Sequence, residues 1–142
     1  MKIIIGSDHA GYKAKEELKK HLKCHTIIDK GANSEYSVGY PVYAEKVARE
    51  VAKGDSTGIL LCGTGMGVCM AANKVRGIRA ALAYNESTAK LAKEHNNANI
   101  LCVGARELSL EKIKKIADIF LKTKFSDLDR HKKRVEEINR IS

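Results

Sequence analysis

The stretch Gly58-Ile59-Leu60-Leu61-Cys62-Gly63-Thr64-Gly65-Met66-Gly67-Val68-Cys69-Met70-Ala71-Ala72-Asn73-Lys74 decides the fold. An apolar run of strand type gives way to glycines at alternate positions and then to a segment that starts a helix, so it reads as strand, tight turn, helix. Closely spaced glycines let the backbone fold back and present successive N–H groups, which makes an anion cradle. Cys62 stands at the mouth of that cradle.

Working outward, the same alternation recurs. Lys2-Ile3-Ile4-Ile5 is a β-branched strand that stops at Gly6-Ser7-Asp8-His9-Ala10-Gly11, and a helix follows from about Tyr12 to Lys23 with Leu18 and Leu22 at helical spacing. Thr26-Ile27-Ile28-Asp29 gives a second strand, and after a polar loop Pro41 falls just ahead of a helix of about Val42 to Lys53. Tyr40 precedes that proline and is expected to be extended, its ring leaning over a neighbouring strand end. The helix after the glycine loop is expected to reach Arg76-Gly77, and Ile78 to Tyr84 reads as a fourth strand. Asn85 begins a helix that finishes at Glu94-His95-Asn96, and Ile100 to Val103 is a fifth strand closing at Gly104-Ala105-Arg106. Ser109 to Lys122 is strongly amphipathic, and a last helix contains Arg130, His131, Arg134, Val135 and Ile138.

Parallel strands need crossovers, and a crossover helix must bury its apolar face. The expected architecture is therefore one α/β domain over residues 1–142, a three-layer sandwich around a five-stranded parallel sheet. The final helix runs on with an apolar edge and is expected to pack on a partner subunit.

Composition narrows the function. The 142 residues are 44% hydrophobic and 30% charged, as in a globular protein, with no apolar run of the roughly 20 residues a membrane helix needs. Met1-Lys2-Ile3-Ile4-Ile5 is too short for a signal peptide, so a cytoplasmic location is expected. The net charge of +9 is spread among residues of both signs, without a basic tail or aromatics interleaved with Arg and Lys, which argues against a nucleic-acid partner. Cys24, Cys62, Cys69 and Cys102 form no C-x-x-C pair and have no closely spaced histidines, so neither a disulfide scaffold nor a metal site is expected. Cys69 and Cys102 sit inside apolar runs and read as core packing.

The glycine loop by itself is weakly specific. A dinucleotide fingerprint wants its glycines after the first strand, whereas these follow the third, and the first turn lacks the Lys-Ser/Thr of a P-loop. A cysteine acting as nucleophile needs an adjacent base and an acyl substrate; one acting as base needs a carbon acid beside a carbonyl and donors for the resulting enediolate. The loop supplies such donors, which favours proton abstraction. A non-catalytic nucleotide or sugar-phosphate binding module stays open beside it.

Taken together, Gly6-Ser7-Asp8-His9-Ala10-Gly11, Tyr40-Pro41, Cys62 to Gly67 with Ala71-Ala72-Asn73-Lys74, His95-Asn96-x-x-Asn99, Gly104-x-Arg106 and Arg130-His131-x-x-Arg134-Val135 resemble ribose-5-phosphate isomerase type B. The wider family includes isomerases of galactose 6-phosphate and allose 6-phosphate. The resemblance implies an aldose–ketose isomerase of ribose 5-phosphate and ribulose 5-phosphate, working through a cis-enediolate without a cofactor or metal. It implies Cys62 as the base, Thr64 and His95 in ring opening, and Asp8 handling hydroxyl protons. The amides of Gly63, Gly65, Met66 and Gly67 would hold the enediolate oxygen, His9, Arg106, Arg130 and Arg134 the phosphate, and Tyr40 and Asn96 the sugar. It further implies a Rossmann-like sheet and a homodimer or tetramer whose sites combine two subunits, with His95 and Asn96 reaching the neighbour's Cys62. Two departures stand out: Gly39 replaces the aspartate that many relatives have before Tyr-Pro, and Phe125-Ser126-Asp127-Leu128-Asp129 replaces the usual glycine pair ahead of Arg-His.

Overall fold

The computed structural model describes residues 1–141; Ser142, the end of the expected domain, lies outside them. Among these residues the chain alternates β1 (Lys2–Ser7), α1 (Tyr12–His21), β2 (Thr26–Asp29), α2 (Tyr40–Val51), β3 (Thr57–Cys62), α3 (Met66–Ala72), β4 (Ala80–Leu82), α4 (Glu86–Glu94) and β5 (Ile100–Gly104), then α5 (Leu110–Lys122) and α6 (Asp129–Arg140). The five strands form one parallel sheet in the order β2-β1-β3-β5-β4. The expected α/β sandwich is what forms.

Helices cover both faces, which is why the central strands read as unbroken apolar runs. Ile3, Ile5, Ile59, Leu61, Leu101 and Val103 point to the layer of α1, α4 and α5, where Leu18, Ala89, Ile113, Ile116 and Phe120 meet them. Ile4, Leu60, Ile100 and Cys102 point the other way, to Ala44, Val47 and Ala48 of α2 and Val68 and Ala72 of α3. From β1 the chain winds outward to β2, and from β3 it winds to the opposite edge. The sheet therefore has its switch point between the carboxyl ends of β1 and β3, where such folds open a crevice for ligands.

Three local expectations need correction. The fourth strand shrinks from Ile78–Tyr84 to Ala80–Leu82 because side chains capture the flanking amides: Arg79 N–H donates to Asn99 Oδ1 (2.8 Å), and Tyr84 and Asn85 N–H donate to Thr88 Oγ1 (3.2 Å each). α3 stops at Ala72 rather than near Arg76, since Asn73 turns its amide onto β4, donating to Ala80 O (2.9 Å) and accepting from Ala80 N–H (2.9 Å). Tyr40 is not extended but is the first residue of α2; the extended break falls one residue earlier at Gly39 (φ −76°, ψ 117°), and Pro41 sits in the first turn, where no N–H partner is needed.

Candidate active site

One cluster gathers at the switch point. Just past the end of β1 stands Asp8, which is 6% exposed and accepts the Gly11 N–H on Oδ1 (3.1 Å), so the carboxylate is turned into the start of α1. β3 ends at Cys62, 4% exposed, and the chain then doubles back so that Gly65 N–H donates to Cys62 Sγ at 3.1 Å. The reversal requires Gly65 to take φ +81°, with Leu82 and the Val103 backbone where a Cβ would be. α3 spans only seven residues, so the single Gly65 amide, not a long helix dipole, faces the sulfur.

Neighbouring strand ends complete this cluster. Arg106, just past β5, donates its backbone N–H to Gly63 O (3.0 Å), and its side chain covers Gly63. Thr64 is exposed, its Oγ1 accepting the Met66 N–H at 3.2 Å. Tyr40 lays its ring against Gly67, where a Cβ would come within 2.5 Å of it; the ring thus leans on the first turn of α3 rather than on a strand end. His9 accepts the Val38 N–H on Nδ1 (3.1 Å), which leaves Nε2 as the protonated nitrogen of the neutral ring. Asp8, His9, Tyr40, Cys62 to Gly67 and Arg106 are thus brought together.

His95, Asn96, Arg130 and Arg134 are brought together elsewhere. His95 caps the C-terminus of α4, ahead of β5, and so lies at the amino end of the sheet, opposite Cys62. Its ring stacks on His131 of α6 (centroids 4.3 Å apart, 32° between planes). Arg130 and Arg134, four residues apart, are exposed on that helix, and Asn96 is exposed beside Asn73, Ile78 and Ile138. No metal-holding group of three or more His, Cys, Asp or Glu occurs among the described residues.

Three groups in or near the core have shifted pKa values. Burial pushes the His131 pKa below its ordinary 6.5, and nearby His95, Arg130 and Arg134 push it further, against a smaller opposing pull from Glu94. Cys69, read above as plain core, is half-buried, and a hydrogen bond from the Cys102 thiol lowers its pKa to about 7 despite burial. Cys102 is fully buried and its own pKa is raised well above the ordinary 9.0, first by burial.

Several supporting residues have no simple sequence signal. Lys15 is 0% exposed, its ammonium bonded to Asp29 Oδ1 (2.8 Å), Asp29 Oδ2 (2.7 Å) and Ala32 O (2.7 Å). In the sequence it is one lysine among many, and only the pairing with Asp29 at the end of β2 separates it from a solvated one. Ser126 also escapes a linear reading, because its partner, His131 Nδ1 at 2.6 Å, lies across the turn into α6.

A doubly wound α/β sheet with a cysteine in a glycine turn at its switch point, and an arginine at a neighbouring strand end, defines a protein built to hold a small anionic ligand beside a thiol. Comparison with known proteins is more specific: residues 3–138 match the family model described as Ribose/Galactose Isomerase, and the chain belongs to that family. It is 43% identical to ribose-5-phosphate isomerase B of Escherichia coli (strain K12), over 99% of this chain and 95% of that protein. Among solved structures it is similar to Clostridium thermocellum ribose-5-phosphate isomerase B, with TM-score 0.96 and 46% identity over 99% of this chain and 97% of the other. It is also similar to ribose-5-phosphate isomerase B of Mycoplasma genitalium with bound ribulose-5-phosphate, with TM-score 0.94 and 44% identity over 98% and 94% of the two chains.

Proposed function

We propose that this chain interconverts ribose 5-phosphate and ribulose 5-phosphate, as the curated names of its relatives suggest, and that it does so in the cytoplasm as an assembly of at least two chains. The observation that supports this best is the Cys62 sulfur, buried at the switch point and facing the Gly65 amide at 3.1 Å. In the open-chain aldose, the Cys62 thiolate takes the proton from C2, and the electron pair moves onto the carbonyl oxygen O1 to give a cis-enediolate. The amides of Gly63, Gly65, Met66 and Gly67 stabilise the charge on that oxygen. The thiol returns the proton to C1 while the hydroxyl proton passes from O2 to O1, a transfer assigned to Asp8. Atoms and charge balance without a cofactor.

The remaining assignments are those the family resemblance implies. His9 and Arg106 stand near Cys62 and are assigned to the phosphate, Tyr40 to the sugar. Thr64 and His95 are assigned to ring opening, Asn96 to the sugar and Arg130 and Arg134 to the phosphate. Because the last four lie at the far end of the sheet from Cys62 of the same chain, they serve the Cys62 of a partner, and each site is shared.

The test is to follow ribulose 5-phosphate formation and deuterium incorporation at C2 of ribose 5-phosphate in D₂O. Cys62→Ala is expected to lose about 10²- to 10⁴-fold in both. Wild-type protein with neither activity, or an unimpaired Cys62→Ala, would overturn the proposal. Assaying allose 6-phosphate and galactose 6-phosphate alongside fixes the sugar; faster turnover of either six-carbon substrate would displace ribose 5-phosphate.

A further inference from the structure

We infer that Ser126 and His131 are positioning residues for His95, holding its imidazole in the orientation used for opening the sugar ring. This rests on the role proposed above for His95, and the geometry behind it is independent of that role.

Among the described residues no side-chain hydrogen bond fixes the His95 ring; what touches it is the His131 ring, stacked at 4.3 Å. His131 in turn is 4% exposed and bonded through Nδ1 to Ser126 Oγ at 2.6 Å, which fixes the orientation of its ring. Ser126 is itself anchored: its N–H donates to Glu94 O (3.0 Å), and Oγ accepts the Leu128 N–H (3.4 Å). The turn between α5 and α6 thus hangs on the last turn of α4, the turn that His95 caps. The groups facing His131 are Arg130 and Arg134 from its own helix and Glu94 and His95 from α4. Burial, His95, Arg130 and Arg134 all lower the His131 pKa below its ordinary value, so the ring that His95 stacks on is held against gaining charge.

The turn also bears on the departure from the family's glycine pair. Asp127 adopts φ +61°, a left-handed conformation that glycine takes without strain, so the backbone path suits glycine here. The path alone needs no hydroxyl. In this chain the Ser126 hydroxyl is an added group, and it is spent on His131.

The chemistry of the two sugars gives a selective test. Ribose 5-phosphate closes to a furanose through its C4 hydroxyl, whereas ribulose 5-phosphate has its C5 oxygen esterified and has no furanose to open. Exchange of the C1 proton of ribulose 5-phosphate with solvent therefore reports the proton transfer without ring opening. Ser126→Ala is expected to lower kcat on ribose 5-phosphate about tenfold, the worth of one well-placed hydrogen bond, with KM and C1 exchange within about twofold of wild type. It should also move the acid limb of the ribose 5-phosphate pH–rate profile. His131→Phe, which keeps a stacking ring but loses the Ser126 bond, should give the same split. Unchanged ribose 5-phosphate turnover, or an equal fall in turnover and C1 exchange, overturns the inference.

An NMR readout separates this from the isomerase reading. Ser126→Ala is expected to shift the imidazole resonances of both His131 and His95, and unshifted His95 resonances overturn the positioning role whatever the activity. Wild-type protein inactive on both sugars overturns the isomerase reading instead.

Discussion

If a site needs Cys62 of one chain and His95 of another, two inactive variants should restore each other. In the β3–β5 register Gly58 pairs with Ile100 and Cys62 with Gly104. Cys62 thus lies four residues, about 13 Å of strand, beyond the level of Ile100, and His95 precedes Ile100 on the other side. Cys62→Ala and His95→Asn are each expected to lose about 10²- to 10⁴-fold as pure assemblies. In a two-fold mixed dimer one site receives the intact Cys62 and the intact His95, and the other receives both defects. Random reassortment of an equimolar mixture makes about half the dimers mixed, so about a quarter of wild-type activity should return. The assay is ribulose 5-phosphate formation after co-refolding, with two affinity tags to verify mixed dimers. A mixture that contains them yet stays at the level of its parents refutes the shared site.

Other outcomes follow from local geometry. Asp29→Asn leaves the buried Lys15 ammonium with only Glu16, at 3.4 Å, as a counter-charge, which should cost about 3 kcal/mol and lower the melting temperature by roughly 10 °C in calorimetry. Burial raises the Asp29 pKa, but the hydrogen bonds from Lys15 and Lys19 more than reverse it, so the folded value lies below the ordinary 3.8. Its stabilisation is then fully present above about pH 4 and fades as pH falls through the lowered folded value, an acid dependence that Asp29→Asn should lack in urea titrations. Gly65→Ala forces a side chain onto left-handed backbone against the Val103 main chain and should destabilise by at least about 2 kcal/mol, whereas Gly67→Ala need only displace the half-exposed Tyr40 ring and should raise KM with little change in melting temperature. Cys69, with a pKa of about 7, should alkylate at neutral pH, so peptide mapping of iodoacetamide-treated Cys62→Ala protein is expected to find label at Cys69, increasing between pH 6 and 8 by about tenfold.

Much of the fold could be read from the chain because the central strands are short β-branched or leucine runs between turn residues, and the sheet buries both their faces. Ile3-Ile4-Ile5 and Ile59-Leu60-Leu61 leave no alternative to a covered parallel sheet. Boundaries were less legible where a side chain replaces a backbone partner: Thr88 and Asn99 trim β4, and Asn73 ends α3, through side-chain bonds that hydrophobic periodicity does not register. At Tyr40, the steric rule for the residue before proline yields to a helix start fixed by packing on Gly67. The candidate site was legible as residues but not as places. That Asp8 and Cys62 meet follows from strand order, whereas the Ser126–His131 bond depends on a turn whose path no periodicity encodes.

The amide of Asn73 has a consequence for solubility. β4 closes one margin of the sheet, and with Arg79 and Ala83 bonded to β5, the N–H and C=O of Ala80 face outward. Such groups are a template on which another chain can add a strand. Asn73 occupies both of them, and Cys69 adds its thiol to Ala80 O at 3.4 Å, so one short helix plugs the seam a recruited strand would need. The last turn of the helix that follows Cys62 thereby also serves as a guard against edge-to-edge aggregation.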